Sequence, residues 1–289
     1  MMVPVRRVVV ACTLGVLGAA LAACGTSVDP VSPRPAPPGS PASASGSTAP
    51  TRPPTLDPGP GGLTPVFTHG PRTRGRTVAL TFDADMTSDQ GTRAARGEHF
   101  DNPPLIGVLR AFHVPATVFM TGRWADQYPA QARVIGRDPL FEVANHSYSH
   151  HAFTKDCYGL PTLPEDRMRA DVERADTAFR KAGVPHPVPY FRFPGGCYDR
   201  RALRALSGIG VTAVQWDVVS GDAFATDSGA VARQVLKGVR PGSVVVMHCT
   251  RSAAPATVRA LRTIVPELRK RGFRFVRVSD LIAAADRHR

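Results

Sequence analysis

Seven short apolar runs, each rich in β-branched or aromatic residues, recur along this chain at 77–82, 115–120, 141–144, 188–193, 211–216, 243–247 and 273–276. Helical patterns lie between most of them. The clearest is PEDRMRADVERADTAFRKAG, where Met168, Val172, Ala175, Phe179 and Ala182 recur at steps of four and three and Gly183 follows as a stop. A second is PATVRALRTIVPELRKRG, with Val258, Leu261, Ile264, Val265 and Leu268 on one side. Pro266 falls inside it and counts against an unbroken helix, because proline lacks the N–H and crowds the preceding turn. Strand and helix in alternation specify a parallel α/β architecture. Seven strands suit either a barrel or an open, doubly wound sheet.

The chain before residue 77 has a different character. MMVPVRRVVVACTLGVLGAALAAC begins with basic Arg6 and Arg7 and continues as an apolar stretch from Val8 to Ala23. That stretch is short and wrongly flanked for a membrane-spanning helix and reads as an export signal. Its end, Leu21-Ala22-Ala23-Cys24, resembles a bacterial lipobox. The resemblance implies cleavage before Cys24, a diacylglycerol on its thiol and retention at the outer face of the cell membrane, where two acyl chains suffice for stable anchoring. Twelve of the 28 prolines then lie between Pro30 and Pro65, among Ser, Ala, Gly and Thr. Such a segment has too little apolar surface to offset its ordering entropy, which predicts an extended tether. The expected organisation is a signal at 1–23, a lipidated Cys24 with a disordered tether at 24–76, a single folded domain at 77–284 and a tail at 285–289.

The formal charge is +13, but 32 of the 36 basic residues are Arg and they are spread without a cluster. This is compositional bias with some attraction for an anionic wall. An exported chain has no nucleic acid to meet. With Cys12 lost and Cys24 acylated, Cys157, Cys197 and Cys249 remain, at spacings that fit no zinc finger or ribbon. An oxidising compartment permits one disulfide and leaves one thiol over.

Polar residues collect where the apolar runs end. Asp83 and Asp85 close the first, His146 follows the third, Arg192 lies near the end of the fourth, Asp217 closes the fifth and His248 the sixth. In parallel α/β folds the C-terminal strand ends share one rim, where sites are built. His146 and His150, four apart, would share a face of a helical turn and could hold one metal, with distances natural for zinc. Neither H-E-x-x-H nor G-x-S-x-G is present, so a zincin protease and a serine hydrolase are excluded. Cys249 beside His248 would point to the opposite strand face. The polar stretch Met86–Pro104 is long enough to be a functional loop over Asp83. Trp124, Tyr148 and Trp216 are candidates for sugar platforms or for the core.

TFDAD, HSYSH, RFPGG, QWDVVSGD and VVVMH occur in the order and context of the polysaccharide deacetylases (carbohydrate esterase family 4, the NodB homology domain), and GFRFVRVSDLI is similar too. The resemblance spans Thr77 to Ile282 and implies a distorted (β/α)7-type barrel and metal-dependent removal of acetyl groups from a polysaccharide. Asp83 matches the general base, His146 and His150 the histidine ligands, Arg192 the residue that holds the base, Gly195 the backbone N–H for the oxyanion, and His248 the general acid. Zinc is the expected metal, with cobalt or nickel also accepted by such ligands. Two positions depart from the pattern. Ala84 stands where the metal-binding Asp is usual, so the slipped Asp85 is expected to reach the metal instead. Val219 and Ala223 stand where an acid and a Trp are usual, so Asp217 is expected to orient His248, while Asp222 matches the motif's later acid.

Loops over the same rim carry Cys157 and Cys197, which predicts a disulfide between them and leaves Cys249 a buried thiol. Peptidoglycan is the expected substrate, with a chitin-like glycan also in range. An O-deacetylase such as an acetylxylan esterase, and a non-catalytic wall-binding pseudoenzyme, are the competing readings. A monomer is expected.

Overall fold

In the computed structural model, which describes residues 52–286, every one of the seven runs contains a parallel strand and two further strands join them. The strands are β1 (Val66–Phe67), β2 (Thr77–Ala84), β3 (Ala116–Met120), β4 (Phe141–Asn145), β5 (Tyr190–Phe191), β6 (Thr212–Val214), β7 (Val218–Val219), β8 (Ser243–His248) and β9 (Arg274–Phe275). Their order is β1-β6-β5-β4-β3-β2-β8-β7, with β9 also paired to β2. From β2 to β6 each new strand is added on the same side. This is the winding of a barrel rather than of a doubly wound sheet, whose order reverses. The result is a curled half-barrel, consistent with the distorted (β/α)7-type barrel.

The pleat sorts the side chains into two layers. Val78, Leu80, Phe82 and Ala84 on β2, with Val245 and Met247 on β8, pack outward in the large core beneath the helices. Ala79 and Val244 face inward with Phe119, Ala144, Tyr190 and Val214. Since successive side chains alternate, Asp83 and His248 belong to the inner set. Their backbones are direct partners in the β2–β8 register.

The helices are α1 (Gln90–Ala95), α2 (Pro103–Ala111), α3 (Gly122–Gln127), α4 (Pro129–Gly136), α5 (Glu165–Ala182), α6 (Arg200–Ala205), α7 (Ser228–Gly238), α8 (Thr257–Lys270) and α9 (Val278–Asp286). In α5 the apolar stripe Met168, Val172, Ala175, Phe179 and Ala182 is buried, and Gly183 closes the helix with φ 81°. Helix α8 runs through Pro266 without a break, contrary to expectation. Pro266 is exposed, so the carbonyl that loses its N–H partner one turn earlier faces water, which can satisfy it.

The tether expected to reach residue 76 does not. From Arg52 onward the chain lies against the barrel: Phe67 is buried, β1 pairs with β6, the Tyr190 hydroxyl donates to the Pro54 carbonyl at 2.9 Å, and the Leu56 N–H donates to Thr212 Oγ1 at 2.9 Å. Val66 and Phe67 supply the apolar contact that a proline-rich composition conceals, and β1 covers what would otherwise be the exposed edge of β6. The expected domain start at 77 therefore falls inside the folded chain. At the other end α9 reaches Asp286, past the expected boundary at 284. The signal, Cys24 and the first half of the expected tether lie outside the described residues.

Candidate active site

Strand β2 runs one residue past Phe82 and Asp83, to Ala84. That extra residue decides how the two acids are used. Ala84 turns outward into the core, so Asp83 and Asp85, two apart, both fall on the inner side. Asp85 is the first residue past the strand, and it keeps to the site because the pleat holds through Ala84.

Asp83 and Arg192 form a buried pair. Arg192, wholly shielded from solvent, donates from Nη1 to Asp83 Oδ1 at 2.6 Å and from Nε to the Val214 carbonyl at 3.2 Å. Its guanidinium lies 3.9 Å over the Phe119 ring. Burial pulls the Arg192 pKa down and the Asp83 carboxylate opposes that loss. An unpaired charge here would be costly, so each partner needs the other.

His146 and His150 come together on a loop and not on a helical turn, with ring centroids 5.0 Å apart. Ser147 and His150 take left-handed backbone, φ 68° and 58°, and this lets the chain double back. The Nδ1–H of His146 donates to the Arg192 carbonyl at 2.8 Å, which leaves Nε2 as the lone-pair nitrogen. His150 Nδ1 is buried without a hydrogen-bond partner. Burial lowers both imidazole pKa values, that of His150 to about 4 despite the opposing pull of Asp85. Both rings are neutral at pH 7, the state in which imidazole binds a metal.

His146 Nε2 lies 3.6 Å from Asp83 Oδ2 and His150 Nε2 lies 4.0 Å from Asp85 Oδ2. Both are too long for hydrogen bonds. The second, between two groups of the expected ligand set, is somewhat longer than the roughly 3.4 Å that separates two ligands of one tetrahedral ion with bonds of about 2.0–2.1 Å. Asp85 also accepts from Thr250 Oγ1 at 2.7 Å. Burial works against its charge, but His150, His248 and Thr250 outweigh burial and hold its carboxyl below the usual range. Among the described residues no three His, Cys, Asp or Glu side chains converge closely enough to hold an ion as they stand. Two neutral imidazoles and a carboxylate nonetheless fit a divalent metal in kind.

His248 sits at the end of β8 with a side chain 26% exposed, open to the cleft. Its Nδ1 bonds Asp222 Oδ1 at 2.8 Å and its backbone N–H donates to Asp222 Oδ2 at 2.8 Å. Thr257 Oγ1 donates to the same carboxylate at 2.6 Å. Burial disfavours the imidazolium, yet Asp222, with Asp85 and Asp83, pushes its pKa up to about 9. The Asp222 pKa is lowered in turn: burial raises it, but the bonds from His248 and Thr257 prevail.

Asp217, expected to orient His248, does not touch it. It accepts from Ser243 Oγ at 2.8 Å, the Val244 N–H at 2.7 Å and Arg72 Nη2 at 2.7 Å. Ser243 and Val244 begin β8, whereas His248 ends it, about 13 Å away at the usual rise. The error comes from reading 211–216 as one strand. The chain leaves the sheet after Val214 and re-enters as β7, which Asp217 precedes and Asp222 follows. The signal for Asp222 was the pair Val218-Val219, a strand too short to stand out.

Cys157 and Cys197 are joined by a disulfide across 40 residues. The bridge presses on the third motif. A Cβ on Gly195, where φ is 64°, would lie 2.6 Å from Cys157 Sγ, so glycine is required both by conformation and by space. Cys249 is a buried free thiol, pushed by burial up to about 12 and therefore inert. Trp124 and Tyr148 are buried, and Trp216 packs over Gly196, so none of the three stands open as a platform.

The chain matches the family model described as "Polysaccharide deacetylase" over residues 70–214. A chitooligosaccharide deacetylase of Sinorhizobium fredii is 32% identical over 185 residues, covering 59% of this chain and 80% of the relative. Among solved structures, a peptidoglycan N-acetylglucosamine deacetylase superposes with a TM-score of 0.63 at 25% identity, covering 75% of this chain and 92% of the other. A pseudoenzyme of carbohydrate esterase family 4 from Bacillus anthracis superposes equally well, with a TM-score of 0.63 at 22% identity over 79% of this chain and 70% of that one. At that identity the likeness speaks for the fold alone.

Proposed function

This chain belongs to the polysaccharide deacetylase family, a class of hydrolases, and from that premise we propose that it removes N-acetyl groups from the amino sugars of a cell-wall polysaccharide, peptidoglycan first among them. The observation that carries the reading is the meeting, on one inner rim, of an Arg-held aspartate, two neutral histidines and an Asp-held histidinium. A pure wall binder needs no such set.

Asp83 is the base. Its Oδ1 is engaged by Arg192, so Oδ2, on the side of His146, is the oxygen left to take a proton from the attacking water. His146, His150 and Asp85 are the groups that would hold a divalent ion, zinc or alternatively cobalt or nickel. Bound there, the ion supplies Lewis acidity and lowers the pKa of water from about 15.7 toward roughly 7. Gly195 is the residue whose backbone N–H would stabilise the charge that develops on the acetyl oxygen, and its lack of a side chain makes room for the bridge at Cys157. His248 carries its proton at neutral pH because Asp222 holds it charged, and it delivers that proton to the leaving amine. Amide nitrogen is a poor leaving group unless protonated, so a raised histidine suits an amide better than an ester.

Cys24 is proposed as the lipid anchor that places the domain at the outer face of the membrane, on the strength of Leu21-Ala22-Ala23-Cys24. Loss of palmitate incorporation in Cys24→Ser checks it, and incorporation that persists refutes it.

The test of function is acetate release by the metal-loaded protein on peptidoglycan, chitooligosaccharides and acetylxylan. A chelator should abolish release and added divalent metal should restore it. Full activity in metal-free protein refutes the ligand set. Release from acetylxylan alone makes the chain an O-deacetylase, and release from none makes it a pseudoenzyme.

A further inference from the structure

Two large aromatic side chains stand almost wholly in solvent, Tyr158 at 87% and Phe224 at 83% exposure. Both hold left-handed backbone, with φ 50° at Tyr158 and 59° at Phe224. Residues with a bulky side chain rarely adopt that region, and it persists where surrounding contacts impose it, often beside a binding site. The contacts are present at both. Tyr158 directly follows the bridged Cys157, and its ring reaches within 3.2 Å of where a Cβ on Gly195 would lie. Phe224 lies two residues beyond the Asp222 that holds His248, and its N–H donates to the Ala253 carbonyl at 2.6 Å.

The sheet order places the loops that carry these rings on opposite sides of Asp83. Tyr158 is on the loop after β4 and Phe224 on the loop after β7, while Asp83 ends β2 between them. From β4 to β7 there are four strand spacings, on the order of 20 Å along the curled sheet at about 4.8 Å each. One sugar ring cannot cover that span. A glycan chain can, and its pyranose rings offer flat C–H faces that an exposed aromatic ring covers well. Between the two rings stand groups that act on an acetamide, so the occupant is a chain with an acetylated sugar near its middle.

We propose that Tyr158 and Phe224 are the two outer platforms of a cleft that grips a polymeric glycan on both sides of the sugar being deacetylated. The proposal rests on the deacetylase reading above. It makes the chain selective for oligomers and polymers over single sugars.

The experiment uses metal-loaded protein, chitopentaose as the oligomer and a small aryl acetate as the short substrate. Asn replaces each ring, because it tolerates left-handed backbone and keeps the loop in shape. Tyr158→Asn and Phe224→Asn should each raise KM for chitopentaose roughly tenfold, the effect of losing the apolar area of one ring, with kcat little changed. Turnover of the aryl acetate should stay as in the parent, and Tyr158→Phe and Phe224→Tyr should restore the parent KM. Unchanged kinetics on chitopentaose in the double Asn variant overturns the proposal. An equal loss on both substrates overturns it too, since the rings would then be shaping the reaction centre. Calorimetric binding of chitopentaose separates this proposal from the reading beneath it. Binding that the double variant weakens upholds the platforms even if no acetate is released. A parent protein that does not bind the pentamer ends the proposal even if the aryl acetate is hydrolysed.

Discussion

Asp83 with Arg192, and His248 with Asp222, are both carboxylate–cation pairs, built in opposite senses. In the first the cation is sealed away, wholly buried between Phe119 and the Val214 carbonyl, and the aspartate faces the cleft. In the second the carboxylate is sealed, with its side chain 1% exposed, and the histidine faces the cleft at 26%. In each pair the supporting partner lies deeper than the working one, Arg192 at 0% beneath Asp83 at 7% and Asp222 at 1% beneath His248 at 26%. Each support fixes the working group: Arg192 engages Oδ1 of Asp83 and leaves Oδ2 toward His146, while Asp222 keeps His248 protonated at neutral pH. Reversing either would leave the site with two acids or two bases.

The largest expected effect comes from removing the deepest support. Arg192→Met leaves Asp83 as a buried charge without its partner, which should lower unfolding free energy by about 3–5 kcal/mol in a denaturant titration. Turnover should fall with it, because the base loses the bond that fixes its position at the rim. A loss below about 1 kcal/mol would mean the first pair is not a dependent unit and the comparison fails.

Asp222→Asn attacks the second pair and should show in pH dependence. His248 is pushed up to about 9, so in the parent it stays protonated through pH 8. In the variant it returns toward its ordinary 6.5, and amide turnover should drop by more than about tenfold at pH 8 but little at pH 6. The sign for stability follows from the same shift. A raised histidine contributes fully below its unfolded value near 6.5 and loses that contribution as pH rises through about 9. Asp222, held low, loses its contribution as pH falls below the usual carboxylate range. The stability gap between parent and variant should therefore be widest from about pH 4 to 6.5 and close by about pH 10. An alkaline limb unmoved by the substitution would sink the assignment.

The smallest effect sharpens the contrast between the two ends of β8. Asp217→Ala removes hydrogen bonds at the start of the strand, to Arg72, Ser243 and the Val244 N–H. It should cost about 1–2 kcal/mol of stability and leave the pH profile of turnover unchanged. A shifted profile would tie Asp217 to His248 after all.

What this chain owes to sequence alone is the part written locally. Apolar runs alternating with amphipathic helices specify a parallel α/β architecture, because strand and helix periods are properties of neighbouring residues, while the barrel winding appears only in the strand order. The polar residues that interrupt the ends of those runs, Asp83, His146, Arg192 and His248, are legible for the same reason: a parallel fold gathers strand ends on one rim. Composition hides Val66 and Phe67, since two apolar residues among prolines make a strand only when β6 offers them an edge. Nothing local distinguishes Asp217 from Asp222 either. Asp217 directly precedes Val218-Val219 and Asp222 follows three residues after Val219, and only the pairing of Val218 with Val245 decides that one aspartate falls at the start of β8 and the other at its end. The same holds for Asp85, kept on the inner face by one further residue of β2, and for the histidines, joined by left-handed turns that no periodicity announces. Side-chain direction depends on where a strand begins and stops, and it is the partner strand, through its hydrogen bonds, that sets those limits.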